Sequence, residues 1–99
     1  MNIIKINGTT AELKTDYGTL IRVISHDVKY AEINPLDSNM ILITRTNGMV
    51  DITDDYGITQ RNICDGANME RFNGNELAIY KVNGQVEIRD MYGILLRMV

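Results

Sequence analysis

The chain has 99 residues, a net charge of −3, one histidine and one cysteine. Such a length makes one domain with a small core, and the acidic balance excludes general nucleic-acid binding, which needs a positive surface to displace phosphate counterions. A lone Cys64 excludes an internal disulfide, no Cys/His spacing suits zinc, and neither a metal nor a cofactor is expected.

Met1 to Ile6 has four apolar residues interrupted by Asn2 and Lys5. That run is too short for a leader or a membrane span, and a cytoplasmic location is expected. The first structured unit is "KINGTTAELKTDYGTLIRVI" from Lys5. Asn7-Gly8 between alternating runs signals a hairpin with a type I′ turn. Tyr17-Gly18 signals a second hairpin, with glycine free to take a left-handed conformation. The unit reads as three antiparallel strands. Ser25-His26-Asp27 follows; neighbours in sequence diverge along the chain and do not make a catalytic triad.

"DVKYAEIN" from Asp27 then adds a strand, and Pro35–Asn39 adds a loop. "RTNGMVDITDDYGITQRNI" from Arg45 repeats the pattern of the first unit. "GANMERFN" from Gly66 occupies the same place before the third unit. "KVNGQVEIRDMYGILLRMV" from Lys81 closes the chain as a third copy. The tyrosines at 17, 56 and 92 give periods of 39 and 36 residues, the mark of a repeat architecture. Residues 1–99 are read as one all-β domain. Its repeats lie at about 1–24 with three strands, 25–63 with four and 64–99 with four. The first unit opens on its second strand.

The four-strand units resemble β-propeller blades. The stretch from Val28 to Ile63 is similar to a blade of the WD-repeat and related families: a strand, a Pro-containing turn, a strand, Asn-Gly, a strand ending in Asp, a Gly turn and a last strand. The Trp-Asp signature is absent; its places hold Lys14-Thr15, Thr53-Asp54 and Arg89-Asp90. The resemblance implies blade topology and carries over no functional residue. A propeller has about four to eight blades, so the expected form is an incomplete propeller completed by oligomerisation. A homodimer closing head to tail makes six blades. The alternative is a β-trefoil.

Each unit has an acid five residues before its tyrosine and an arginine five after: Glu12/Arg22, Asp51/Arg61 and Glu87/Arg97. A three-residue turn puts each pair opposite across its hairpin as a structural ion pair. Lys5, Arg45 and Lys81 are expected at solvated hairpin ends. The candidate ligand-binding residues are Tyr17, Tyr56 and Tyr92 with Asp37 and Asp55, on one rim. Either they grip a partner, or each ring packs on the next blade. With no second histidine, cysteine partner or phosphate loop, no enzyme is expected. The expected function is a non-enzymatic binding module for a protein partner, as inhibitor or adaptor. The alternative is a small lectin, against which the absence of tryptophan counts.

Overall fold

The computed structural model describes residues 2–99; Met1, the expected start of the first unit, lies outside them. Eleven strands and no helix are found among the described residues. The first sheet holds β1 (Asn2–Asn7), β2 (Thr10–Thr15) and β3 (Leu20–Ser25). The second holds β4 (Val28–Asn34), β5 (Asp37–Arg45), β6 (Val50–Thr53) and β7 (Thr59–Cys64). The third holds β8 (Ala67–Asn73), β9 (Glu76–Lys81), β10 (Val86–Asp90) and β11 (Leu95–Met98). Each sheet is an antiparallel meander in chain order. No strand pairs across sheets among the described residues, so the chain does not form the barrel of a trefoil. No helix of the described residues is long and apolar enough to cross a membrane.

The sheets stack through alternating side chains. Ala11, Leu13 and Ile24 of the first sheet pack with Val28, Ile41 and Ile43 of the second. Leu42, Val50, Ile52 and Ile63 leave the other face of the second sheet to meet Ala67, Leu77 and Ile79 of the third. The second sheet is thus buried on both faces, and β6 is buried at every residue. Backbone bonds tie the stack at one end. Val28 N–H donates to the Thr9 carbonyl (2.8 Å), and Ala67 N–H donates to the Gly48 carbonyl (3.0 Å).

The hairpins differ from expectation in three ways. First, no Asn-Gly turn is type I′, which needs two positive φ values. Only Asp27 has a positive φ among the described non-glycine residues. Thr46-Asn47-Gly48 is a three-residue loop instead. Gly48 N–H donates to the Arg45 carbonyl (2.9 Å), and Arg45 N–H to the Met49 carbonyl (2.8 Å). Gly48 alone is left-handed (φ 89°), and the Asn47 side chain accepts the Met49 N–H at 3.0 Å. The first sheet has one more residue between Asn-Gly and tyrosine. Asn7 there pairs with Thr10 around a two-residue loop.

Second, Pro35–Asn39 is not a five-residue loop. Asn34 pairs with Asp37 around Pro35-Leu36, and the additional residues bulge within β5, since the next pair is Ile33 with Ile41.

Third, the acid–arginine pairs do not form. The tyrosine turns begin in the expected register: Lys14 faces Leu20, Thr53 faces Thr59 and Arg89 faces Leu95. A bulge then inserts Ile21, Gln60 or Leu96, so Arg22, Arg61 and Arg97 face Leu13, Ile52 and Ile88. A bulge re-aims the side chains beyond it, and it frees each arginine from the acid of its own hairpin. The acids find other bases. Asp51 takes Arg45 at 2.8 Å, Glu87 takes Arg89 at 2.8 Å, and Glu12 lies 3.7 Å from Lys14. Arg45 and Lys81 are accordingly not solvated ends. Arg45 also donates to the Ser25 hydroxyl (2.8 Å) and the His26 carbonyl (3.1 Å). Lys81 donates to the Asp65 carbonyl. Both fasten a hairpin to the connection between sheets.

Candidate functional site

The three tyrosines stand on turns that push them outward. At the second turn the Asp54 carboxylate accepts the N–H groups of Tyr56 and Ile58, both at 2.9 Å. At the third, Asp90 accepts those of Tyr92 (2.9 Å) and Ile94 (3.0 Å). At the first, Thr15 takes this place and accepts the Thr19 N–H at 3.1 Å. An aspartate that bonds its own backbone fixes such a turn locally. The glycine after each tyrosine is left-handed, with φ between 85° and 89°.

Two of the freed arginines, Arg22 and Arg61, meet these turns on the neighbouring sheet. Arg22 donates to the Asp55 carbonyl at 2.7 Å, lies 3.9 Å from the Asp55 carboxylate and stacks 4.1 Å from the centre of the Tyr56 ring. Arg61 donates to the Met91 carbonyl and stacks 4.8 Å from the Tyr92 ring. Each guanidinium therefore reads the carbonyl before the tyrosine and covers one ring face by cation–π attraction. The rings stay open on the other side: Tyr56 is 66% and Tyr92 75% exposed. Beneath each ring the glycine presses on an isoleucine. Gly57 sits against the Ile24 backbone and Gly93 against that of Ile63. Ile24 and Ile63 are themselves bulged residues, skipped in the pairing of Ala11 with Ser25 and of Val50 with Cys64.

Tyr17 differs from its two counterparts: it is 94% exposed, and nothing described lies within 4 Å of a Cβ placed on Gly18. The two candidate aspartates separate. Asp55 joins Tyr56 through Arg22. Asp37 accepts the Asn39 N–H (3.0 Å) and shares a shallow groove with Asp54, Gln60 and Arg61. Two sets of residues escaped the sequence reading. Arg22 and Arg61 support the neighbouring tyrosines, and their fixed distance from tyrosine was the available signal. Glu70, fully buried between the second and third sheets, was visible only as an acid in the place of Ala31.

Arg61→Ala tests the clamp. It removes a charge-assisted hydrogen bond and a ring contact, and the protein is expected to lose about 2 kcal/mol. The shift of the urea midpoint measures this, with the mass in light scattering unchanged.

The remaining reactive groups are tied into the frame. Ser25 is held by Arg45, and His26 Nδ1 lies 3.3 Å from the Thr10 hydroxyl. Cys64 is half-buried against the second core cluster, and burial pushes its thiol pKa up. No group of three or more metal-binding side chains occurs among the described residues. Comparison of the chain with protein-family models and with curated proteins found no match in either.

Proposed function

We propose that the three sheets are successive blades of an incomplete β-propeller, that two copies close it head to tail into a six-bladed ring, and that the ring is a non-enzymatic module binding a protein partner, as inhibitor or adaptor. Cytoplasmic residence belongs to the same reading. The observation that carries the function is the set of outward tyrosines, two of them braced from behind by an arginine with one face open. A braced tyrosine offers a large amphipathic surface and gives up little entropy when it binds, the property that enriches tyrosine and arginine in protein interfaces. Asp55 beside Tyr56 adds an acidic margin and favours a partner with basic groups at the rim.

The test is capture from source cells with wild-type protein beside the double variant Tyr56→Ser, Tyr92→Ser, which leaves Tyr17 in place. The wild type is expected to enrich a protein that the double variant loses by tenfold or more, with circular dichroism and the mass in light scattering unchanged. Equal capture by both would remove these two tyrosines from the site. Binding on a glycan array with no protein captured would favour the lectin reading.

A further inference from the structure

The two internal junctions are built from the same parts, and the two ends of the chain hold the halves of a third. At each internal junction the last strand of one sheet supplies an arginine and a bulged isoleucine. The next sheet supplies a tyrosine and a glycine. Arg22 and Ile24 meet Tyr56 and Gly57; Arg61 and Ile63 meet Tyr92 and Gly93. The third arginine of the series is Arg97, and the residue in the place of Ile24 and Ile63 is Val99. Val99 is 81% exposed. Arg97 reaches back to Glu76 at 3.0 Å, with its side chain still 55% exposed. At the other end, Tyr17 and Gly18 have the conformation of the other two turns. They have neither the arginine nor the isoleucine.

We infer that Arg97 and Val99 of one copy dock on Tyr17 and Gly18 of the next, making the seam of the ring. This rests on the head-to-tail reading above and names its contacts. The occupant is a second copy because the missing parts are the ones the chain itself carries at its far end. The charges agree as well. Asp16 precedes Tyr17 as Asp55 precedes Tyr56, and Asp55 is the acid beside Arg22. Arg97 can leave Glu76 at little cost, because exposed ion pairs contribute little. The glycine fits the scheme too: space above Gly18 is open where Gly57 and Gly93 are covered. The backbone tie from Gly48 to Ala67 has no counterpart at this seam, since the first sheet has three strands among the described residues. A head-to-tail contact either closes a ring or runs on as a filament.

The seam joins unlike surfaces, and mixing two variants tests that directly. Arg97→Glu spoils only the donating end, and Tyr17→Ser only the accepting end. Each variant alone is expected to dissociate at least tenfold more readily than wild type in sedimentation at micromolar concentration. An equimolar mixture retains one intact seam, between Arg97 of the Tyr17→Ser copy and Tyr17 of the Arg97→Glu copy. It is therefore expected to recover a species of twice the 11.2 kDa chain mass. Both side chains are exposed, and circular dichroism checks that each variant folds. A wild-type dimer matched by both single variants would overturn the seam and leave the ring reading standing. A dimer weakened in both variants but not recovered on mixing would also overturn the seam. A wild-type monomer would remove both.

Discussion

Stability of the wild-type protein is expected to fall steadily as pH rises from about 4.5 to about 9, and Glu70→Gln is expected to abolish most of that slope. Glu70 on β8 lies opposite Ile79, which belongs to the core between the second and third sheets. Its side chain therefore faces the second sheet. It is fully buried, and neither carboxylate oxygen finds a hydrogen-bond partner among the described residues. Burial, and then the negative charge of Glu32 on β4, push its pKa from 4.5 up to about 9. Glu32 pairs with Leu42 and so faces the same seam from the other side. Glu70 is thus neutral in the folded protein at pH 7, while the unfolded chain carries it ionised.

The sign follows from proton counting. Between the two pKa values the folded state holds a proton that the unfolded state has lost, so stability declines with pH. The full contribution is present below about pH 4.5 and is gone once pH passes about 9. One group gives roughly 1.4 kcal/mol per pH unit, so about 3 kcal/mol has gone by pH 7. Cys64 and Tyr30 are also raised, but from 9.0 and 10.0, and titrate above this window. Urea unfolding at pH 5, 7 and 8.5 measures the effect. Glutamine keeps the shape without the ionisation, so the variant should be the more stable protein at pH 8.5. An equal slope in both proteins would mean that Glu70 is ionised in the fold.

Strands and turns were legible in the sequence because their chemistry is local. Asn-Gly, Tyr-Gly and the aspartates ahead of them set where the chain reverses, and alternation between them set the strands. Register was not legible. The bulges at Ile21 and Leu96 lie in runs such as Leu20-Ile21-Arg22-Val23, where both faces carry apolar residues, and the one at Gln60 lies in the wholly polar run Thr59-Gln60-Arg61-Asn62; in either kind of run a one-residue slip leaves the pattern unchanged. That slip carries Arg22 and Arg61 from their own hairpins to the neighbouring sheet, so the main feature of the tyrosine site depends on the least readable step. Glu70 escaped for a different reason. An acid in a strand reads as solvated, and its burial is decided by which sheet covers it. Asp37 and Asp55 were placed on one rim by counting turns, but their partners depend on side-chain reach.

Gly57→Ala is expected to cost about 3–4 kcal/mol, a large share of the stability of a small domain, whereas Gly18→Ala should cost about 1 kcal/mol. Both glycines are left-handed, with φ of 85° and 87°, and an L-residue pays the same backbone strain at each. The difference is what covers them. A Cβ on Gly57 would run into the Ile24 carbonyl, with the carbonyl carbon at 3.1 Å and Cα at 3.3 Å. These are backbone atoms of a bulged, buried residue, which cannot swing aside as a long side chain would. Relief requires the second sheet to move off the first, which opens the Arg22–Tyr56 clamp and the core around Ile24 together. Gly18 meets nothing within 4 Å among the described residues, so it bears strain alone. Thermal melts of the two variants under dilute conditions make the comparison. Equal losses would mean that strain dominates and that the close approach at Gly57 relaxes freely. A large loss confined to Gly57 would identify this contact as the point where the first two sheets lock.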